Sequence, residues 1–145
     1  MKFFVLHGPN LNLLGTREPG VYGNTTLADV DAMIKAYATG NDIEVDLRQS
    51  NHEGVLVDYV QEADKKADGI VFNPGALTHY SYSLLDAIRG VSVPCVEVHI
   101  SNIHAREDFR SRSVTGAGAI GIISGFGPQS YVLGIEALIR HLEKS

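Results

Sequence analysis

The chain has 145 residues, 44% apolar and 20% charged, with a formal net charge of −5. That length suits one domain able to bury roughly 70% of the surface its unfolded form exposes, and the composition is far from that of a disordered segment. The acidity argues against an extended nucleic-acid surface, which needs a field of Lys and Arg.

Cys95 is the single cysteine, so no internal disulfide is possible. The start, MKFFVLHGPN, offers a four-residue apolar run before polar residues follow, and signals neither secretion nor membrane insertion. The expected location is the cytoplasm.

In chain order, KFFVLH (2–7) is a short apolar run ending in Gly8 and Pro9, which predicts a buried strand breaking into a loop. Thr26 opens a helix, with Asp29 three residues on as a capping box, and Leu27, Val30, Ile34 and Tyr37 keep helical spacing until Gly40. Residues 43–49 alternate Ile43, Val45 and Leu47 with charged neighbours, the pattern of a strand less protected on one face, as at a sheet edge. A helix over 53–67 has Leu56, Tyr59, Val60 and Ala63 as its inner stripe, with Glu62, Asp64, Lys65 and Lys66 read as a solvated face.

The alternation continues with a strand over 69–72, a helix over 81–89 closed by Gly90, a strand over 94–100, a basic segment and a strand over 119–124. The last helix, 128–142, presents Tyr131, Ile135, Leu138 and Leu142 on one side. Strands alternating with helices imply a parallel sheet with helices on both faces. The expected fold is therefore α/β, a flavodoxin-like doubly wound five-stranded parallel sheet, and residues 1–145 are expected to form one catalytic domain with no regulatory module.

In such a sheet, ligands bind outside the carboxyl ends of the strands, near the point where strand order reverses. The polar residues after strands are Asn10; Ser50 and Asn51; Asn73 through His79; and His99 through Arg110. GAGAIG (116–121) matches a dinucleotide-binding glycine pattern only formally, because its glycines lead into a strand and not into a helix. No Walker A, CxxC or HExxH pattern is present.

Glu97 and His99 lie two apart on one strand and share a face. A carboxylate beside an imidazole orients it and favours its protonated form, which suits a general acid; the alternative is a satisfied histidine at a strand end. Asn73, Thr78 and His79 form a second polar cluster, which is also compatible with an ordinary strand-to-helix loop. Arg106 and Arg110, four apart and so on one side of any helical turn, either clamp a carboxylate or a polyol hydroxyl array or pair with Glu107 and Asp108.

Tyrosine, with an ordinary pKa of about 10, is a poor base near neutral pH unless positive charge supports tyrosinate. Arg17, on the same glycine-rich loop as Tyr22, is the natural support. The five lysines lie at a strand start, within helices or near the terminus, never after a strand, so Schiff-base chemistry is not expected.

The ordered motifs GPNLNLLGTREPGVYG, RQSNHEG, NPGALTH, EVHISN and AREDFR, spread over nearly the whole chain, closely resemble type II 3-dehydroquinate dehydratase. The resemblance implies a dodecamer, a tetramer of trimers, that reversibly dehydrates 3-dehydroquinate to 3-dehydroshikimate on the route to aromatic amino acids or in quinate catabolism. It implies no cofactor and no metal.

By motif position, the resemblance makes Tyr22 the base that forms an enolate and His99 the acid for the leaving hydroxyl. Arg17 supports tyrosinate on a lid, Asn10 holds a water near the enolate oxygen, and Glu97 orients His99. Asn73, His79, Ile100, Ser101 and Arg110 position substrate, Arg106 assists around the lid, and Asp86 reaches a neighbouring subunit's site. His7 stands where many relatives have asparagine. The alternative from another class is a catalytically silent flavodoxin-like module that binds a small anion.

Overall fold

The computed structural model describes residues 1–16, 20 and 23–144. Five parallel strands, β1 (Lys2–His7), β2 (Glu44–Gln49), β3 (Gly69–Asn73), β4 (Cys95–His99) and β5 (Gly121–Ser124), form one sheet in the order β2-β1-β3-β4-β5. Four long helices connect or follow them: α1 (Leu27–Gly40), α2 (Glu53–Lys66), α3 (Tyr82–Gly90) and α4 (Gln129–Glu143). The doubly wound five-stranded arrangement and the edge position of β2 are as the alternation predicts.

Strand periodicity decides which helix covers which face. Phe3, Val5, Val71, Val96 and Val98 point to one side and pack with Val30 and Ile34 of α1 and Tyr131, Ile135 and Leu138 of α4. Phe4, Leu6, Ile70, Phe72 and Cys95 point to the other and meet Leu56, Val60 and Ala63 of α2 and Leu84, Ala87 and Ile88 of α3. Helix α4 approaches the sheet closely at Gly134, where a Cβ would lie 2.9 Å from Val98 Cγ1.

Local signals set the helix starts. Thr26 caps α1 by accepting the Asp29 N–H at 3.1 Å, and the Asp29 carboxylate accepts the Thr26 N–H at 3.0 Å, so the capping box forms as read. Ser81 caps α3 through the Leu84 N–H.

Glu62 and Asp64 depart from the solvated-face reading of α2. Arg48 on the edge strand β2 pairs with both Asp46 and Glu62, and its guanidinium lies 4.4 Å from the Phe4 ring centroid and 5.0 Å from that of Tyr59. Asp64 accepts the N–H groups of Ser92 and Val93 in the connection to β4. Both carboxylates tie the helix to neighbouring elements, which a single helix's periodicity does not reveal.

The chain leaves β1 for the outer strand β2 and then crosses back to β3, so strand order reverses between β1 and β3. His7 and Asn73, the last residues of these two strands, are in register. The crevice above them is where this topology places a ligand.

Candidate active site

The loop after β1 is braced before it reaches the crevice. Asn10 adopts a left-handed conformation with φ 68°, and its N–H donates to Asn51 Oδ1 at 3.0 Å. Gln49 Nε2 donates to the same Asn51 oxygen at 3.0 Å and to the Gly8 carbonyl at 3.2 Å. The end of β2 thus holds the first loop in place. Gly75, with φ 62°, lets the loop after β3 pass beside Pro9, where a Cβ would lie 3.0 Å from the Pro9 carbonyl oxygen.

A cleft of about 150 Å³ opens between these loops, lined by Pro9, Asn10, Leu11, Asn73, Gly75, Ala76, His79, His99, Ile100, Ser101, Ile103, Arg106 and Arg110. Among the described residues, two arginines and two histidines line it, and no carboxylate does. Its polarity therefore favours an anionic ligand. A larger, more open hollow lined by Lys2, Asp42, Glu44 and Asp68 lies at the opposite ends of the strands, away from this cluster.

Behind the cleft wall, Glu97 is 1% exposed and His99 5%. His99 Nε2 lies 2.8 Å from Glu97 Oε2, which also accepts from Thr78 Oγ1 at 2.7 Å and Ser113 Oγ at 2.6 Å. The second carboxylate oxygen accepts from Thr115. Burial acts to raise the Glu97 pKa, but the hydrogen bond and charge of His99, with the bonds from Ser113 and Thr115, outweigh it and hold the carboxyl below its ordinary value. Glu97 is a fixed negative charge that orients the imidazole with Nε2–H toward itself.

His79 Nδ1 donates to the Arg112 carbonyl at 2.7 Å, and the ring stands edge-on to Phe109. Arg106 Nη1 donates to Ser101 Oγ at 3.4 Å, and Arg110 Nε donates to Glu107 Oε1 at 3.0 Å. These arginines do not share one helical turn. Residues 103–105 and 108–110 form separate short 3-10 turns, with Arg106 extended between them. The Ile100 carbonyl accepts the Gly127 N–H at 2.9 Å, so the Ser101 N–H, trans across that peptide, points the other way.

Asn10, Asn73, His79, His99, Ile100, Ser101, Arg106 and Arg110 are thus brought together, with Glu97 directly behind His99. Asp86 is not among them. It lies exposed on α3, beside a separate hollow with Val57, Gln61 and Ser83, because Leu84, Leu85, Ala87 and Ile88 take the inward face of that helix. Arg17 and Tyr22 lie outside the described residues.

Sequence reading missed the hydroxyl cluster of Ser113 and Thr115, which follows no strand and lies 16 and 18 residues from Glu97. Thr78 was legible only as part of a polar loop. Cys95 is buried, and burial followed by the Glu97 charge pushes its thiol up, so it is not a thiolate nucleophile.

The family model for class II dehydroquinase matches residues 1–139. The chain belongs to that family. It is 56% identical over 135 residues to a 3-dehydroquinate dehydratase of Rhizobium etli (strain CIAT 652), covering 93% of each chain. It is 55% identical over 143 residues to the enzyme of that name from Nostoc sp. (strain PCC 7120 / SAG 25.82 / UTEX 2576), covering 99% of this chain and 97% of the other. Among solved structures, type II dehydroquinase from Butyrivibrio crossotus DSM 2876 superimposes with a TM-score of 0.94 at 48% identity, covering 96% of this chain and 97% of that one. Among the described residues, no helix is long and apolar enough to cross a membrane.

Proposed function

We infer that the chain is a type II 3-dehydroquinate dehydratase, a hydro-lyase of the shikimate pathway that converts 3-dehydroquinate reversibly to 3-dehydroshikimate. The observation that carries this reading is the buried Glu97–His99 pair at the rim of a cleft lined by Arg106 and Arg110, in a chain of the dehydroquinase family.

In the proposed reaction, tyrosinate at Tyr22 takes the proton alpha to the ketone, and the C–H electron pair becomes an enolate. Arg17 supports the tyrosinate charge, and Asn10 holds a water at the enolate oxygen. As the enolate collapses, its oxygen reforms the ketone C=O, its C=C electron pair becomes the new alpha–beta double bond, and the β C–O bond breaks, with His99 protonating the departing hydroxyl so that it leaves as water. With Nε2 held by Glu97, Nδ1 is the His99 nitrogen that delivers this proton. Base and acid come from separate parts of the chain, His99 from the end of β4, which accommodates anti elimination.

The substrate carboxylate is assigned to the Ile100 and Ser101 N–H groups. Asn73, His79 and Arg110 take its hydroxyls and ring, and Arg106 assists them. The general acid and base steps contribute about 100- to 10,000-fold each, and the remainder comes from positioning and preorganised charge. The proposed reaction needs no cofactor or metal and forms no imine.

We further propose that residues 1–145 act as one catalytic domain in the cytoplasm and assemble as a dodecamer, a tetramer of trimers. Two features support assembly. Ile120, Ile122 and Phe126 are exposed at and beside β5, which has a sheet neighbour on one side only, and Tyr80, Tyr82 and Phe109 are also exposed. Asp86 is exposed and outside this chain's own cleft, which supports the assignment of its carboxylate to another subunit's site.

Mixing the protein with 3-dehydroquinate in buffer containing a metal chelator tests the activity, because the product carries a conjugated enone. The ultraviolet absorbance is expected to rise, and borohydride added with substrate is expected to leave the enzyme active. No rise, or covalent trapping by borohydride, would overturn the reading.

A further inference from the structure

Asn73 is 3% exposed and forms part of the cleft wall, and behind it a line of buried side chains runs back to the surface of α1. Its Nδ2 donates to the Tyr131 hydroxyl at 3.0 Å, while its Oδ1 accepts the Gly75 N–H at 3.1 Å. Tyr131 is fully buried on α4, and its hydroxyl lies 2.8 Å from His7 Nδ1. His7, 1% exposed at the end of β1, meets Asp31 Oδ1 with Nε2 at 2.8 Å.

With His7 neutral, the donor and acceptor inventory gives the direction of every proton in this line. A carboxylate only accepts, so His7 carries hydrogen on Nε2 toward Asp31, and the neutral ring has Nδ1 as an acceptor. Tyr131 therefore donates to His7, and burial, the largest influence on its phenol, keeps it protonated. With its proton committed to His7, the Tyr131 oxygen accepts from Asn73. Together with the Gly75 N–H on Oδ1, that holds the Asn73 amide with its nitrogen inward, leaving one Nδ2 hydrogen to face a ligand.

We propose that His7 and Tyr131, anchored by Asp31, are positioning residues that set the Asn73 amide orientation and so present a hydrogen-bond donor to a substrate hydroxyl. The proposal rests on the dehydratase reading for the identity of that substrate. It gives a role to the histidine that stands in the first motif, and to a tyrosine whose sequence pattern marks it only as core.

Tyr131→Phe preserves the ring and removes the relay hydroxyl. It is expected to raise KM for 3-dehydroquinate about 5- to 10-fold, the loss of one oriented hydrogen bond, with kcat changed less than about threefold. Because Tyr131 acts through Asn73, Asn73→Ala and Asn73→Ala with Tyr131→Phe are expected to share one KM within about twofold. Asp31→Ala is expected to raise KM in the same direction, with Asp31→Asn, whose amide oxygen still accepts from His7, close to the parent.

A KM unchanged in Tyr131→Phe, or effects that multiply in the double variant, would overturn the relay. A crystal structure of Tyr131→Phe reads the same point without turnover. An Asn73 side chain displaced from its place in the parent supports the proposal and an unchanged one contradicts it. Failure of the parent protein to turn over 3-dehydroquinate would instead strike the dehydratase reading alone.

Discussion

His99 Nε2 lies 2.8 Å from Glu97 Oε2, with both side chains buried and the carboxylate held by three further hydroxyl donors. The carboxylate fixes which ring nitrogen faces the cleft and supplies the charge that stabilises the imidazolium. Glu97→Gln keeps the shape and removes the charge. Its kcat is expected to fall by about 100-fold or more, with KM nearly unchanged, because the loss falls on the proton-transfer step. Steady-state kinetics on the folded variant check this, and a change confined to KM would move Glu97 from catalysis to binding.

The same carboxylate makes stability depend on acid. Its folded-state pKa is depressed, so its contribution is complete above its unfolded value of about 4.3 and is lost as pH falls through the lower folded value. Unfolding stability is expected to drop as pH is lowered below about 4.5, and the drop is expected to be shallower in Glu97→Gln. Denaturant unfolding at a series of pH values measures both slopes, and equal slopes would exclude Glu97 as the source.

Thr115 is fully buried and donates to Glu97 Oε1. Thr115→Val is nearly isosteric but takes one donor from a buried charge, at a cost of about 1–3 kcal/mol. Chemical denaturation is expected to show that loss, together with a smaller loss of kcat as the carboxylate gains freedom. Parent-like stability would mean that Ser113 and Thr78 suffice to hold it.

Arg110 lines the cleft with one guanidinium edge spent on Glu107. Arg110→Ala is expected to raise KM about 10- to 100-fold, the range for hydrogen bonds to a charged donor. Arg110→Lys should recover only part, since an ammonium lacks the planar fork. Kinetics at two ionic strengths check the assignment, and a KM unaffected by the alanine variant would place Arg110 outside substrate binding.

Much of this architecture was legible because the signals are local. Apolar runs ending in Gly8 and after Asn73, the capping box at Thr26 and the alternation over 43–49 each report their own backbone neighbourhood. The doubly wound topology then brought Asn10, Asn73 and His99 to one end of the sheet without further information. What stayed hidden depends on tertiary approach. Ser113 and Thr115 meet Glu97 only once the loop before β5 packs against the 75–79 turn. Tyr131 carries a core residue's periodicity, yet its hydroxyl bridges His7 and Asn73. Arg106 and Arg110 converge through two short turns and not through helical spacing.

The separate roles given to base and acid are tested most directly by following exchange of the alpha proton with deuterium oxide in two variants. In His99→Ala the base is intact, so 3-dehydroquinate is expected to gain deuterium at the alpha carbon while dehydration falls by at least about 100-fold. In Tyr22→Phe both exchange and dehydration are expected to be lost. Exchange that persists in Tyr22→Phe, or that disappears together with dehydration in a folded His99→Ala, would contradict the account.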